Sequence, residues 1–440
     1  MIIMKFGGTS VGQPDRMKKV GKLVIHEQSP KIVVLSALSG TTNALVAIGE
    51  ALFAGVREEA TKNIEDLYQH YLSFYPQLLK EEAYRQKALA IIDEHFDYMR
   101  ELSGQPFNEK ENKTLLAQGE LLSTKFFHLY LQEQSIDAAL LSALDFMALD
   151  ENNEPRVDYL KHELSAILEK QQGTKIFITQ GYICLNAQGE YDNLKRGGSD
   201  YTATLIGAAI QAQEVQIWTD ISGMHNNDPR IVDDTYPIAN LSFNEASELA
   251  YFGAKILHPS SIWPVQIYNV PVRLKNTMEP EDAGTYISDE EKELEIKAIA
   301  AKDRITAIKV KSSRMLMAYG FLRKIFEVFE KYRTPIDMIT TSEVAVSLTI
   351  DDDTDLPKIL DEIKPFGMIH VDREQTIVCI VGNLVVQKEG IVQKIFEALN
   401  EIPIRMISYG GSKYNISLLI DTRFKNEVLV RLNEKLFKTD

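Results

Sequence analysis

A glycine-containing turn near the start of the chain has the residue types of an anion-binding site. Residues 5–12 read Lys-Phe-Gly-Gly-Thr-Ser-Val-Gly, after a short apolar run that predicts a buried strand. Glycines let backbone N–H groups approach an anion, and a following helix N-terminus adds partial positive charge. A glycine turn alone is as often structural, but Lys5 at the strand end favours phosphate binding. The segment is no P-loop, because Gln-Pro follows where Lys-Ser/Thr is required, and Thr9 breaks the pattern Gly-x-Gly-x-x-Gly.

A second turn, Arg-Gly-Gly-Ser-Asp at residues 196–200, precedes a helical run over residues 201–212. An arginine offers a planar fork for a carboxylate. Ser199 is suited to capping the helix, and Asp200 in its first turn to orienting a lysine or a metal. A helix cap alone would explain the serine and the aspartate but not the adjoining Arg-Gly-Gly.

Two more polar segments come later in the chain. Trp-Thr-Asp at residues 218–220 ends a predicted strand, and a polar loop leads from it to Asp-Pro-Arg at residues 228–230. An acidic residue at the carboxyl end of a strand, followed by a polar loop, is typical of nucleotide sites in α/β folds. Residues 252–259, Phe-Gly-Ala-Lys-Ile-Leu-His-Pro, add Lys255 beside a glycine, whereas we interpret His258 as structural.

The elements that must position these residues alternate in type. Residues 2–6 and 31–35 are predicted as buried strands and residues 14–26 as the helix between them, which indicates an α/β fold with a parallel or mixed sheet. From about residue 51 to 103, apolar residues recur at helical spacing and predict a pair of long inserted helices. The α/β pattern then resumes and continues to a break near residues 285–297.

Beyond that break the sequence repeats itself. Residues 320–329 resemble residues 390–399, and Val-Ser-Leu-Thr-Ile-Asp from residue 346 resembles Ile-Ser-Leu-Leu-Ile-Asp from residue 416. Each copy is predicted as strand, helix, strand, turn, strand and helix. A unit of this kind buries little by itself, so we expect the two βαββαβ copies to pair.

Composition excludes several classes of function. The 440 residues carry 48 Lys and Arg against 63 Asp and Glu, a net charge of −15, which disfavours broad binding to nucleic acid or anionic membranes. The two cysteines lie in apolar runs, and their number excludes a disulfide framework. No apolar run approaches the ~20 residues that span a bilayer, and the N-terminus does not resemble a signal peptide. We therefore expect a soluble, cytoplasmic protein.

Taken together, these motifs resemble those of the aspartokinase family, within the amino-acid-kinase superfamily. Residues 313–322 and 337–344 also resemble the first ACT regulatory module of that family, and the resemblance covers essentially the whole chain. It implies a three-layer αβα sandwich over residues 1–285, with a helical insertion at about 51–110. Two ferredoxin-like ACT modules would follow at residues 298–372 and 373–440, with strand exchange between them left open.

The resemblance implies that ATP transfers its γ-phosphoryl group to the side-chain carboxylate of L-aspartate, giving 4-phospho-L-aspartate. This reaction is the first step in the biosynthesis of lysine, threonine, methionine and diaminopimelate. Lys5 and Asp200 match catalytic positions. The positions matching nucleotide contacts are Lys5, Gly7, Gly8, Thr219, Asp220, His225, Asp228, Arg230 and Lys255. Mg²⁺ would be carried mainly by the ATP phosphates rather than by protein ligands.

Aspartate itself needs two recognition groups besides the reacting carboxylate. By resemblance, Arg196 clamps the α-carboxylate and Glu120 meets the α-ammonium. The remaining positions that match the aspartate pocket are Ser36, Thr42, Asn43, Gly197, Gly198 and Ser199. Tyr182 stands where the family often has Phe, and His225 stands where it usually has Tyr, which still permits stacking on adenine.

An amino-acid effector site is implied in the first ACT-like module. The matching positions are Met315, Phe321, Leu322, Asp337, Thr341, Ser342 and Glu343. Arg405 replaces Asp337 in the second copy, so we expect the first module alone to bind the effector. Lysine is the usual effector of the family, but a carboxylate does not distinguish lysine from threonine. Because ACT modules generally complete their sheets across a partner, a homodimer is the expected minimum.

Two other functions remain open at this point. One is a kinase of another amino-acid carboxylate, such as glutamate. The other is a non-catalytic amino-acid sensor, which is disfavoured by the retained Lys5, Arg196, Asp200, Asp220 and Lys255.

Overall fold

The computed structural model describes residues 1–194, 197–253, 257–291, 296–315, 319–383, 385–387 and 389–438. In chain order its strands are β1 Ile2–Phe6, β2 Lys31–Leu35, β3 Ala139–Leu140, β4 Ile176–Gln180, β5 Ile183–Leu185, β6 Tyr191–Asn193, β7 Val215–Thr219, β8 Asn240–Ser242, β9 Val272–Asn276, β10 Thr285–Ser288, β11 Ile296–Lys311, β12 Ile339–Thr341, β13 Ala345–Ile350, β14 Met368–Gly382, β15 Ile404–Tyr409 and β16 Asn415–Asp421.

The helices are α1 Gly8–Val11, α2 Pro14–His26, α3 Thr41–Phe53, α4 Arg57–Leu78, α5 Glu82–Leu102, α6 Glu109–Glu133, α7 Val157–Lys170, α8 Gly198–Ala209, α9 Phe243–Tyr251, α10 Pro259–Ile267, α11 Phe321–Lys331, α12 Leu356–Ile363, α13 Ile391–Ala398 and α14 Lys425–Phe437. Across the part of the chain that the structure describes, no helix is both long and apolar enough to cross a membrane. The chain forms two compact units: Met1–Met224 with Ile256–Asp289, and His225–Lys255 with Glu290–Asp440.

A parallel sheet organises the first unit. The seven strands of this sheet that belong to the first unit run in the order β3-β4-β2-β1-β7-β9-β10, and among their pairings only β9 with β10 is antiparallel. Met4 and Phe6 of β1 belong to a core shared with the helices of one face. Ile3, which points to the opposite face, lies against Gly207 of α8. Covered on both faces, the strands are continuous apolar runs rather than alternating ones. The predicted αβα sandwich is therefore confirmed.

Aromatic side chains hold the long helices α4, α5 and α6 together. Tyr71 of α4 packs edge-on against Phe96 of α5 and against Phe126 of α6, at ring-centroid distances of 5.7 Å in both cases. Phe74 stacks on Phe126 with a centroid distance of 6.2 Å. The Tyr71 hydroxyl lies 3.1 Å from Thr41 Oγ1 in the first turn of α3. The long helices thus contact the first residue of α3 directly.

The second unit contains a six-stranded antiparallel sheet in the order β12-β13-β11-β14-β16-β15. Its two central strands are long, with 16 residues in β11 and 15 in β14. The pairing of β11 with β14 shifts register between Lys302 and Ala307, and Arg304 and Glu374 nearby have positive φ values of 62° and 54°. Each long strand is therefore divided into two segments.

Two separate cores result from this division. Ile308 and Val310, late in β11, pack with α11 and α12. Ile296 and Ile299, early in β11, pack with the far half of β14 and with α13 and α14. We call these two bodies the first and second modules. No single point in the sequence separates the residues of the two cores. The start of β11 precedes the first module in sequence but packs in the core of the second module.

Residues 225–255, which the sequence analysis placed in the catalytic domain, pack within the second unit. The Asn227 side chain donates to the Leu429 carbonyl at 3.1 Å and to Asn433 Oδ1 at 3.2 Å. Helix α9 has a complete capping box between Ser242 and Glu245. These contacts join the segment to α14 and give α9 a defined start.

The aromatic cluster generates a prediction about stability. Phe126→Ala should destabilise the folded chain by about 3–5 kcal/mol, because it removes a fully buried ring from a packed cluster. Chemical denaturation followed by circular dichroism would measure the change. Ile25→Ala, at a partly exposed position of α2, is the control and should cost well under half as much. Equal losses in the two variants would contradict the assignment of the cluster as a stabilising core.

Candidate active site

Lys5 and Asp200 form an ion pair where β1 and the start of α8 meet. Lys5 Nζ lies 2.6 Å from Asp200 Oδ1, and the two side chains are 12% and 18% exposed. Lys5 is next to the last residue of β1, and Asp200 lies in the first turn of α8. A Cβ on Gly7 would come within 3.3 Å of Lys5 Nζ. Glycine at that position therefore leaves room around the ammonium group.

The turn before α8 requires glycine. Gly197, the N-cap residue of α8, has φ +73°, and a Cβ there would lie 2.4 Å from Ser261 Oγ. Gly198 also has a positive φ, of 50°. Side chains are strained in this conformation, so glycine is favoured at both positions. The N-terminus of α8 adds partial positive charge at the same point.

Ser36 and Ser199 connect two separate turns. The Ser36 hydroxyl donates to Ser199 Oγ at 2.9 Å. Ser199 packs so closely on Gly181 that a Cβ at residue 181 would lie 2.3 Å from the serine Cβ. On the other side, a Cβ at Gly8 would approach the Ala37 carbonyl oxygen to 3.0 Å. The carboxyl ends of β1, β2 and β4 therefore lead into one compact group of turns.

Glu120 is a buried carboxyl group beside the turn after β2. It lies on α6 and is 4% exposed. The Ala37 N–H donates to Oε1 at 3.3 Å, and Oε2 is buried with no hydrogen-bond partner among the described residues. Burial raises the pKa of Glu120 to about 8. A cation at this place would stabilise the ionised form.

Two neighbouring residues that the sequence analysis missed support this arrangement. The buried Ser123 hydroxyl donates to the Ser36 carbonyl at 2.7 Å, which attaches α6 to the turn after β2. Gln180, at the end of β4, donates to Thr124 Oγ1 at 2.9 Å and accepts from the Ala143 N–H at 2.8 Å. Ser-Thr directly after Gly-Glu-Leu-Leu on a helix was the available sequence signal.

Thr42 and Asn43 lie in the first turn of α3, after the N-cap Gly40, which has φ +85°. Their neighbour Thr41 is buried, and its methyl carbon lies 3.2 Å from the place that a Cβ on Gly119 would occupy. The start of α3 therefore packs next to the segment of α6 that carries Glu120. The structure brings the predicted substrate residues 36, 42, 43, 120 and 197–199 into this region of the first unit.

Thr219 and Asp220 stand at the carboxyl end of β7. The Thr219 hydroxyl donates to Asp220 Oδ1 at 3.2 Å. The backbone carbonyl of Thr219 accepts a hydrogen bond from the Thr277 N–H at 2.8 Å. Trp218, one residue earlier, stacks on Phe6 at a centroid distance of 5.6 Å. Lys275 Nζ lies over the Trp218 ring, 5.0 Å from its centroid. Because β7 is the neighbour of β1, this polar end belongs to the same sheet edge as Lys5.

The other predicted nucleotide residues belong to the second unit. His225 Nδ1 lies 3.2 Å from Thr235 Oγ1, and burial lowers the His225 pKa. Arg230 pairs with Asp228 through Nε at 2.9 Å and Nη2 at 2.7 Å. The hydrogen bonds from Arg230 hold the pKa of Asp228 below its usual range. Asp228 and Arg230 therefore pair with each other through two side-chain hydrogen bonds.

Arg196 and Lys255 lie outside the described residues. Their predicted roles, as the clamp of the α-carboxylate and as a nucleotide contact, rest on the resemblance. Within the described residues, no group of three His, Cys, Asp or Glu side chains is arranged to hold a metal ion.

The predicted effector residues lie in the first module of the second unit. Met315 and Leu322 pack against the core of that module, and Phe321 is part of it. Thr341 ends β12, and Ser342 and Glu343 form the turn before β13. The remaining effector residue, Asp337, follows α11 and accepts hydrogen bonds from Tyr251 and Lys302.

Comparisons with known families agree with this architecture. Residues 1–276 match the profile of the amino acid kinase family, and residues 378–436 match that of the ACT domain. The chain is 32% identical over its full length to lysine-sensitive aspartokinase 3 of Escherichia coli, of which it covers 99%. It is 34% identical to the chloroplastic aspartokinase 3 of Arabidopsis thaliana, covering 82% of that protein.

Solved structures give the same result in three dimensions. The structure of E. coli aspartokinase III in complex with aspartate and ADP superposes with a TM-score of 0.86 at 30% identity, and each chain is covered completely. The same enzyme in complex with lysine and aspartate gives a TM-score of 0.83. Motifs, fold and full-length similarity therefore agree, and the chain belongs to the aspartokinases of the amino acid kinase family.

Proposed function

We propose that the protein is an aspartate kinase, which transfers the γ-phosphoryl group of ATP to the side-chain carboxylate of L-aspartate. The observation that carries this proposal is the Lys5–Asp200 ion pair, placed at the sheet edge where the Ser36–Ser199 and Ala37–Glu120 hydrogen bonds also lie. The solved aspartokinase III with aspartate and ADP supports the choice of substrates.

Phosphoryl transfer to a carboxylate requires little covalent chemistry from the protein. The acceptor is already a nucleophile near neutral pH, so the enzyme positions two substrates and balances the charge of the transferring group. Lys5 Nζ supplies positive charge, and the N–H groups of the turn at Gly7 and Gly8 add hydrogen-bond donors. Asp200 orients the Lys5 ammonium group at 2.6 Å.

Glu120 suits the α-ammonium group of aspartate. A buried carboxyl group with one unsatisfied oxygen gains a counter-charge when an ammonium group binds. The ammonium favours the ionised form, so aspartate binding releases a proton from Glu120 wherever the empty site holds it protonated. Arg196 would clamp the α-carboxylate, which leaves the side-chain carboxylate directed toward Lys5.

ATP would occupy the polar strand ends around Thr219 and Asp220, together with Lys255. His225, Asp228 and Arg230 are the further nucleotide contacts that the resemblance supplies. Mg²⁺ fits this arrangement as an ion held by the ATP phosphates, because Asp200 is already paired with Lys5. When bound, Mg²⁺ neutralises charge on the phosphates.

Regulation by an end-product amino acid completes the proposal, with lysine as the first candidate because the related enzyme of E. coli is named lysine-sensitive. Met315, Phe321, Leu322, Asp337, Thr341, Ser342 and Glu343 would form the effector site. We place the enzyme in the cytoplasm as a homodimer that associates through its ACT modules.

Lys5→Ala tests the catalytic assignment. It should lower kcat by at least ~100-fold, because it removes the charge that stabilises the transferring phosphoryl group. Trapping the acyl phosphate with hydroxylamine measures the rate. Lys22→Ala, on the exposed face of α2, is the matched control and should retain full activity. Near-normal turnover of Lys5→Ala would refute the assignment.

Glu120→Gln tests the buried carboxyl group through pH. Glu120 stays protonated in the folded chain up to about pH 8, whereas in the unfolded chain it ionises near its ordinary value of 4.5. Between pH 4.5 and about pH 8 the folded state binds more protons than the unfolded state. The free energy of unfolding therefore falls as pH rises, by up to about 1.4 kcal/mol per pH unit. Urea unfolding of the ligand-free protein at pH 5, 6, 7 and 8 measures this slope.

Glu120→Gln should remove that part of the slope, whereas Glu58→Gln, on the exposed face of α4, should leave it as in the wild type. The Michaelis constant for aspartate should also fall as pH rises from 6 to 8 in the wild type, and this dependence should be absent in Glu120→Gln. Identical pH profiles for both variants would rule out a titrating Glu120.

Substrate choice is tested with aspartate and glutamate as acceptors in the same hydroxylamine assay. Aspartate should be the better substrate by kcat/KM, and Arg196→Ala should raise the aspartate KM at least ~10-fold through loss of a charged hydrogen-bonded pair. A higher kcat/KM for glutamate than for aspartate would change the proposed function from aspartate kinase to glutamate kinase. No acyl phosphate from either acceptor would leave the non-catalytic sensor as the better description.

A further inference from the structure

The helical insertion reaches the start of α3 through a buried contact between two hydroxyl groups. Tyr71, on α4, is fully buried, and its hydroxyl oxygen lies 3.1 Å from Thr41 Oγ1. Thr41 is the first residue of α3 and is itself only 1% exposed. Buried hydroxyl groups need a hydrogen-bond partner, and at this distance each of the two supplies one for the other. The contact therefore joins α4 to α3.

The aromatic cluster fixes the position of the Tyr71 hydroxyl group. The Tyr71 ring packs edge-on against Phe96 of α5 and Phe126 of α6, so the phenol oxygen cannot move unless the whole ring moves. Burial raises the pKa of Tyr71, and the nearby Glu120 acts in the same direction. The hydroxyl group therefore stays protonated near neutral pH and keeps its capacity for hydrogen bonding.

The start of α3 has few other attachments on the side of α4. Its N-cap residue is Gly40, which has no side chain to bond with the first turn of the helix. A cavity of about 320 Å³ lies beside this turn, lined by Gly40 and Thr41 and by Asp66 and His70 of α4. Packed side chains do not fill this space. Among the described residues, the Tyr71 hydroxyl supplies the side-chain hydrogen bond between α4 and the first turn of α3.

Thr41 also packs beside the predicted acceptor pocket. A Cβ on Gly119 would lie 3.2 Å from Thr41 Cγ2 and 2.8 Å from Ala37 Cβ, so α6 approaches the turn after β2 closely. Glu120, the next residue of α6, accepts the Ala37 N–H at 3.3 Å. The turn after β2 is therefore held at two points, by Glu120 near its start and by Tyr71 at its end.

The predicted acceptor residues Thr42 and Asn43 follow Thr41 directly in the first turn of α3. A helical turn is held by its backbone hydrogen bonds, so a shift of Thr41 moves both residues relative to Glu120. A displacement of about 1 Å is large for a site that must hold a small substrate in one orientation.

We propose that Tyr71 is a positioning residue for the acceptor site, because its hydroxyl group holds the first turn of α3 at the distance from Glu120 that aspartate requires. The choice of aspartate as the ligand rests on the proposed function. Lys5 and Asp200 are carried by β1 and α8 rather than by α3. Loss of the hydroxyl group should therefore weaken aspartate binding and leave phosphoryl transfer from the bound state largely intact.

Calorimetric titration of the full chain with L-aspartate tests the proposal without turnover. Tyr71→Phe keeps the ring, removes the hydroxyl group, and should weaken L-aspartate binding by at least ~5-fold. Thr41→Val removes the other hydroxyl group and should give a similar loss, which also serves if Tyr71→Phe does not fold. Thr41→Ser keeps a hydroxyl group and should bind within ~2-fold of the wild type.

The double variant Tyr71→Phe/Thr41→Val tests whether the two hydroxyl groups act together. It should bind L-aspartate within ~2-fold of Tyr71→Phe, because the first substitution already removes the contact. Losses that multiply in the double variant would contradict the proposal, since the two groups would then act independently.

Tyr68→Phe is the matched control on the same helix. Tyr68 packs edge-on against the same Phe96 ring, at a centroid distance of 5.2 Å, and its hydroxyl group donates to Asp93 Oδ1 at 2.8 Å. This variant also removes a tyrosine hydrogen bond from α4, but the bond leads to α5 and not to α3. It should bind L-aspartate as the wild type does.

The hydroxylamine assay separates positioning from a general structural role. Tyr71→Phe should raise the aspartate KM by at least ~5-fold, with kcat and the ATP KM within ~2-fold of the wild type. General destabilisation would instead lower kcat by reducing the folded fraction, and would leave the aspartate KM unchanged. That second pattern would overturn the proposal.

Unchanged affinity for L-aspartate in both Tyr71→Phe and Thr41→Val would also overturn it, as would an equal loss in Tyr68→Phe. Absence of hydroxamate in the wild type, with L-aspartate binding intact, would refute the kinase activity but not the positioning role, which the calorimetric losses support by themselves. Absence of L-aspartate binding in the wild type would refute both. The two failures are therefore distinguishable.

Discussion

The parallel pairing of β1 with β2 on one side and β7 on the other is the constraint on which the first unit depends. Parallel strands end at the same edge of a sheet, so residues far apart in sequence meet where these strands end. Lys5, Ser36 and Thr219 stand at these ends, and α6 and α8 bring Glu120 and Ser199 to the same edge. A different strand order would separate these groups and leave no site.

Each unit contains a buried carboxyl group with one oxygen that receives no hydrogen bond from the described residues. In the first unit this group is Glu120, beside the Ala37 N–H, and in the second it is Asp337, beside Lys302 and Tyr251. The cost of such burial makes each position responsive to a cation. In the proposed function, Glu120 meets the α-ammonium group of aspartate and Asp337 belongs to the effector site.

Much of this arrangement was predictable from local sequence. Periodicity indicated the α/β character, the long helices and the repeated βαββαβ copies, and the glycine turns marked the ends of β1 and the start of α8. The interlocked cores of the second unit were harder to predict, because a continuous run such as β11 gives no local sign of where its pairing shifts. The kink at Arg304, with its positive φ, assigns the two halves of the strand to different cores.

The sequence by itself determined the family, the fold class and the residue types at the site, since these follow from motifs and short-range periodicity. Only the tertiary structure decided which groups are buried and which of them meet. Nothing near Glu120 in sequence indicates that α6 places it against the Ala37 N–H, and nothing near Asp337 names Tyr251 or Lys302 as its partners. The physical reason is that burial and hydrogen bonding across 35 to 86 residues depend on packing of whole elements, whereas periodicity encodes only which face of each element is apolar.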